Sequence, residues 1–255
     1  MNILMSLRSE LLKNKGTASF YLCVLTAACI PLLLLLEQYS GENATKELIA
    51  DPWAHHFDEG SKGLNLMFLP MYIVLICTLL PQVEYRNNTW KQVLTSPQSL
   101  GNIVIAKFLT VQVFILLFLI AYMLFMVSMA VAYNFINPAL NFLENSIEWS
   151  QLLLLTFKTY LSVLAISAVQ FWIGLRSKSF IVPVAIGLCL VLAAGLLIFK
   201  FRWEHAEIYP FTYPILVLLK SYKSDVPMLL LSSAGCAMIF LGLAFMDLRA
   251  RNIRG

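Results

Sequence analysis

Residues 108–131 read FLTVQVFILLFLIAYMLFMVSMAV, a run of 24 residues that contains no Asp, Glu, Lys or Arg. A helix of about 20 mostly apolar residues is long enough to cross the hydrocarbon core of a bilayer. A membrane β-strand would alternate between apolar and polar residues, whereas this run is apolar throughout. The stretch therefore predicts a transmembrane helix.

Five further stretches of the 255-residue chain have the same character. Only 13% of the residues are charged and 60% are hydrophobic, whereas charged residues average about 25% in soluble domains. Lys158 is the only charged residue inside the predicted spans. We therefore expect an all-α polytopic membrane protein, a single transmembrane domain over residues 1–255, with spans at 17–36, 64–83, 108–131, 152–174, 180–199 and 227–246.

Basic residues are unequally divided between the two sides of this predicted bundle. The side that holds both termini carries eleven Lys and Arg residues against three acids, and the opposite side carries six against eleven. Cytoplasmic loops are the ones that carry excess Lys and Arg. The sequence thus predicts cytoplasmic N and C termini, and the net charge of +4 reflects topology rather than a nucleic-acid partner.

The first 16 residues form a separate amphipathic segment. Apolar residues recur at spacings of three and four, and the remaining positions include Arg8, Glu10 and Lys13. A basic amphipathic helix of this kind can lie in the membrane interface. We expect an interfacial helix over residues 1–16; a simple positively charged tether is the alternative.

The connection 37–63, on the side predicted to face outward, places Asp51, His55 and Glu59 at helical spacing. A metal site is conceivable there, but the spacing matches no specific zinc signature. We favour a solvated polar helix at the membrane surface and predict no metal.

The last connection on that side, 200–226, contains Tyr209, Pro210, Tyr213 and Pro214, followed by the apolar run Ile215–Leu219. This apolar run is too short to span the bilayer and is typical of a re-entrant or interfacial segment. An outer gate is possible, although an aromatic membrane anchor is the more ordinary interpretation.

The connection after the second predicted span, 84–102, has local helix signals. Asn87 or Asn88 can cap a short helix, in which Trp90, Val93 and Leu94 would share one apolar face. Pro97 would end that helix, and Ser99 can cap the third span. Such a rigid element could transmit force between spans; a turn that rests on the lipid headgroups is the alternative.

Residues 84–107 read EYRNNTWKQVLTSPQSLGNIVIAK. This segment resembles the cytoplasmic segment of ABC-2-type transporter permeases, and the nearest similarity is to the permeases of lantibiotic and bacitracin self-protection. The resemblance implies a coupling helix that docks on a separate ATPase and includes Glu84, Arg86, Thr89, Trp90 and Pro97, with Val93 and Leu94 completing its apolar face. It also implies that residues 1–15, with Arg8, Glu10 and Lys13, form the family's elbow helix, and that 200–226 corresponds to its exit-side re-entrant helices.

The chain lacks the GxxxxGK[ST] string that would hold nucleotide phosphates. The resemblance therefore implies that ATP and Mg bind to the partner ATPase, that this chain binds no cofactor, and that it works with a second permease chain in a bacterial inner membrane. We expect an exporter subunit without its own catalytic site, moving an amphipathic, peptide-like or lipidic substrate. The alternatives are an ion-coupled secondary transporter, a non-transporting membrane scaffold and an intramembrane enzyme.

Overall fold

The computed structural model describes residues 3–39, 51–90, 92, 98–137, 141–219 and 225–253, and within these ranges it is helical without strands. The α-helices are α1 (Ile3–Asn14), α2 (Ala18–Tyr39), α3 (Pro52–Gly63), α4 (Leu69–Arg86), α5 (Leu100–Ile136), α6 (Trp149–Ser162), α7 (Leu164–Arg176), α8 (Ile181–Gly195), α9 (Tyr213–Leu216) and α10 (Val226–Ile253). A π-helical turn, Leu64–Phe68, joins α3 to α4, and a second one, Leu196–Lys200, continues α8. Two 3-10 turns, Ala206–Ile208 and Pro210–Thr212, precede α9.

Among the described residues, six helical stretches are long and apolar enough to cross a membrane, which confirms the predicted all-α class with six spans. They are Ala18–Glu37, Pro52–Arg86, Leu100–Ile136, Trp149–Arg176, Ile181–Lys200 and Val226–Ala250. The second, third and fourth stretches extend beyond the predicted limits, because the helices continue into polar residues that the apolar runs alone do not include. Ser99 caps α5 as expected, and its hydroxyl accepts a hydrogen bond from the Asn102 backbone amide at 3.3 Å.

The second span begins much earlier than predicted. The segment expected to form a solvated surface helix is α3, and it continues through the π-helical turn into α4. Trp53, His56 and Phe57 share one buried face at spacings of three and one, and the Trp53 indole donates a hydrogen bond to the Phe142 carbonyl at 2.8 Å. Asp51 caps the N terminus of α3, where its carboxylate accepts from the Ala54 amide.

The fourth span is interrupted at Val163, between α6 and α7. At this break the Ser233 hydroxyl of α10 donates to the Leu161 carbonyl at 2.8 Å and accepts from the Ala165 amide at 3.1 Å. Backbone groups inside a bilayer must find partners within the protein. Helix α10 therefore supplies a hydrogen-bond partner for the backbone groups at the interruption.

The core of the bundle is centred on α4, which contacts α2, α5, α7 and α8. Gly174 of α7 allows a close approach to the backbone of α4, because a Cβ atom there would lie 2.5 Å from the Cys77 carbonyl oxygen. Helix α7 packs against α4 and also against α10. Only a minority of the residues in the spans formed by α2, α8 and α10 are buried, as expected for helices that face lipid.

Candidate functional site

Glu84, Arg86 and Thr89 mark the end of α4 and the turn that follows it. Helix α4 ends at Arg86, and Asn88 adopts the left-handed conformation with φ of +52°. Asparagine is one of the few residues other than glycine that tolerates this conformation. The Thr89 amide then donates to the Glu84 carbonyl at 3.0 Å, so the chain turns tightly around the last turn of α4.

A cluster of four charged side chains joins α1, α4 and α5 at this end of the bundle. The Lys107 ammonium of α5 donates hydrogen bonds to both Glu84 of α4 and Glu10 of α1, the latter at 2.9 Å. Lys13 donates to the other Glu10 oxygen at 2.8 Å and lies 3.7 Å from Glu84. Lys107 is only 4% exposed and Glu84 only 2%. We call these four residues the charged cluster.

Each charge in the cluster depends on its partners. Removal of one member of a buried ion pair leaves an uncompensated charge and typically costs about 3–5 kcal/mol. Burial opposes the ionisation of Glu10, but the charges and hydrogen bonds of Lys107 and Lys13 outweigh it, so the pKa of Glu10 is lowered below 4.5. Burial likewise opposes the charge of Lys13, yet Glu10 and Glu84 raise its pKa above 10.5. Both groups are therefore charged at neutral pH.

Helix α1 presents its polar side to the bundle. Ser6 and Asn14 are buried, one helical turn before and after Glu10, whereas Leu4 is 74% exposed. A helix is present at Ile3–Asn14, within the predicted range 1–16; its position in the membrane interface stays a prediction. Arg8 is exposed and lies outside the charged cluster.

The Trp90 side chain packs against other residues of this chain. Its ring lies 5.2 Å from the ring of Tyr85, and the Lys107 ammonium lies 5.6 Å from the Trp90 ring centroid. The distance to the ammonium is within the range of a cation–π contact. Lys107 thus connects the charged cluster to Trp90 of the predicted coupling helix. Val93, Leu94 and Pro97 fall outside the described residues.

A cavity of 530 Å³ separates α1 from the segment that follows α4, and Glu10, Glu84, Thr89 and Gln92 are among the residues that line it. The Ser6 hydroxyl donates to the Gln98 side chain at 3.0 Å and so joins the two elements across it. One carboxylate oxygen of Glu84 is buried without a hydrogen-bond partner among the described residues. A displacement of this segment would therefore act directly on both α1 and α5.

Arg86 does not join the charged cluster, although it is only two residues from Glu84. It lines a second groove, which α4 forms with α2 and the start of α8. The structure therefore separates two residues that the sequence analysis assigned to one docking surface.

The segment predicted as a possible outer gate packs against the helices of the bundle. Tyr213 is 3% exposed, Pro214 is buried, and the Tyr209 hydroxyl donates to the Leu190 carbonyl at 2.9 Å. Tyr209 and Pro210 are partly buried. The segment is packed against helices rather than spread on the surface as an anchor would be, and its role as a gate stays a prediction.

Asp51, His55 and Glu59 are not gathered around a common point. Asp51 caps α3, and the described residues contain no group of three side chains that could hold a metal ion. Lys158, the charged residue inside the fourth predicted span, is partly buried in α6.

Glu10, Lys13 and Glu84 are among the predicted site residues, but their spacing in the sequence does not predict that they contact one another. Lys107, which directly precedes the 24-residue uncharged run, completes the cluster and was not among the predicted site residues. A family model described as "ABC-2 family transporter protein" matches residues 6–194. The matched region includes all four members of the charged cluster. No curated protein matches the chain.

Proposed function

We propose that this chain, which belongs to the ABC-2 family of transporter proteins, is the permease subunit of an ATP-driven exporter whose ATPase is a separate polypeptide. Family membership and the six spans make the chain a multi-pass membrane component of an ABC transporter. The proposal further includes an ATPase partner that binds ATP and Mg, and a second permease chain. It places the complex in a bacterial inner membrane, with both termini of this chain in the cytoplasm. A relation to lantibiotic and bacitracin self-protection is part of the proposal.

The charged cluster is the observation that carries this proposal. It connects the segment beginning at Trp90 to α1 through Glu10 and to α5 through Lys107. A force that an ATPase applies at Trp90 would reach α5 through Lys107 and α1 through the Lys107–Glu10 ion pair. Glu84 then acts as an internal connection, and the contact with the ATPase falls to Thr89, Trp90 and the residues that follow them.

Substitution of Trp90 by Asp tests the coupling. We expect Trp90→Asp to release the ATPase during co-purification from membranes and to abolish ATP-dependent transport, because it removes the apolar ring and its contacts with Tyr85 and Lys107. The measurement is the ratio of ATPase to permease recovered, together with transport in reconstituted vesicles.

Trp149→Asp is the matched control, since Trp149 is 52% exposed at the far end of the fourth span. It should leave the recovery of the ATPase unchanged. If Trp90→Asp and Trp149→Asp behave alike, or if the permease alone transports its cargo, the proposed coupling is wrong.

For the cargo we propose an amphipathic peptide or a lipid-like molecule. Apolar side chains make up most of the described spans, and they suit such a cargo better than an ion. Cells with and without the gene should then differ in sensitivity to membrane-active peptides. Unchanged sensitivity across a broad panel, with the ATPase present, would contradict the peptide cargo.

A further inference from the structure

A groove of 630 Å³ is present between α2, the end of α4 and the residue that precedes α8. Its polar lining includes Ser19, Gln82 and Arg86, and its apolar lining includes Leu79, Val83 and Phe180. The volume is in the range of small-molecule sites, about 300–1,000 Å³. The groove is therefore large enough for the headgroup and upper chain of a lipid.

The position of the groove fixes its level relative to the membrane. Three membrane-spanning stretches end beside it: the first begins at Ala18, the second ends at Arg86, and the fifth begins at Ile181. The ends of apolar helices lie where hydrocarbon gives way to headgroups. A ligand in this groove would therefore meet Arg86 at headgroup level and the apolar residues at the level of the acyl chains.

The charge of the groove is positive. Arg86 is exposed and is the one charged residue among the described residues that line it. No ion pair between Arg86 and another described residue is formed. Two exposed lysines, Lys15 and Lys178, each lie two residues from a lining residue.

Ser19 adds a buried polar group. Its side chain lines the groove although the residue is only 3% exposed. Gln82, also buried, uses its side-chain amide to donate to the Ser177 carbonyl at 3.0 Å, which positions it at the groove wall. The groove thus offers a guanidinium and a serine side chain beside an apolar wall.

We propose that this groove binds an anionic phospholipid of the leaflet that surrounds the ends of these helices. The lipid phosphate would bind to Arg86 and Ser19, and an acyl chain would lie along Leu79, Val83 and Phe180. Basic pockets between membrane helices are suited to anionic headgroups, and arginine forms strong charge-assisted hydrogen bonds with phosphate oxygens. The inference concerns lipid binding by the permease alone and does not depend on the ATPase.

Native mass spectrometry of the purified chain in detergent tests the proposal with two added lipids, phosphatidylglycerol and phosphatidylethanolamine. The wild type should retain phosphatidylglycerol preferentially. Arg86→Gln should weaken this retention about fivefold, as expected for loss of one basic residue at the membrane surface. Arg86→Lys should keep most of it, and Ser19→Ala should reduce it less than Arg86→Gln does.

Arg249→Gln is the control, because Arg249 is an exposed cation on α10 away from the groove. It should not alter the lipid preference, and unchanged thermal unfolding of Arg86→Gln would show that the variant is folded. Equal retention of both lipids by the wild type would overturn the proposal. Equal effects of Arg86→Gln and Arg249→Gln on lipid retention would overturn it as well. It would also fall if inorganic phosphate displaced the lipid, or if Arg86→Gln released the ATPase while leaving lipid retention unchanged.

Discussion

The two ends of the bundle are held together by different interactions. At the end near both termini, the charged cluster joins α1, α4 and α5 through Glu10, Glu84 and Lys107. At the opposite end, aromatic rings join α3 to the segment after α5, with the Trp53 and Phe142 ring centroids 5.0 Å apart. A buried charge depends on each of its partners, whereas ring packing is spread over many small contacts. A single substitution in the charged cluster should therefore lower the free energy of unfolding strongly. A single substitution at the aromatic end should lower it less.

The largest effect is expected at Lys107. Lys107→Met leaves Glu84 buried without its main partner and should lower the free energy of unfolding by about 3–5 kcal/mol. The measurement is chemical or thermal unfolding of the purified protein in detergent. The double variant Lys107→Met/Glu84→Met removes both charges, so it should recover a large part of the loss. A double variant no more stable than Lys107→Met would show that the pairing of the two charges is not the cause.

A smaller effect is expected at the aromatic end. Trp53→Phe keeps an aromatic ring but removes the hydrogen bond to the Phe142 carbonyl, so it should lower the free energy of unfolding by about 1 kcal/mol. Trp149→Phe is the control, since Trp149 is exposed and should show no change. A loss from Trp53→Phe as large as that from Lys107→Met would contradict the proposed difference between the ends.

The smallest effect concerns pH. The pKa of Glu10 is lowered in the folded protein, so its contribution to stability is present above its ordinary value of 4.5 and is lost as the pH falls through the lowered value. The pKa of Lys13 is raised, so its contribution is present below 10.5 and is lost as the pH rises through the raised value. Unfolding followed against pH should show a loss at both extremes.

The variant Glu10→Gln should flatten the acidic limb of this profile. Trp53→Phe should leave the shape of the profile as it is in the wild type. If Glu10→Gln left the acidic limb intact, the titration would belong to another group.

The sequence predicts the fold class well, because the apolar runs are long enough to define six spans without tertiary information. It also predicts the cap at Ser99, which depends only on local geometry. The early start of the second span could have been recognised from the spacing of Trp53, His56 and Phe57. The polar composition of that segment favoured a surface helix instead.

Other features depend on distances that a sequence does not contain. The contacts among Glu10, Glu84 and Lys107 join residues that are as many as 97 positions apart. The interruption at Val163 is similar, because the group that satisfies it, Ser233, belongs to another helix. Arg86 and Glu84 are neighbours in sequence but line different grooves, since successive side chains on a helix point in different directions.

Ser233 has a consequence for any movement of the bundle. Its hydroxyl is hydrogen-bonded to both the Leu161 carbonyl and the Ala165 amide, so separating α10 from this point would break both bonds inside the bilayer, where an unpaired backbone group costs several kcal/mol. Sliding α10 against the fourth span is therefore opposed at this height. We expect α10 and α7 to move together as one rigid unit. Bending of the fourth span should then be confined to α6, which precedes Val163.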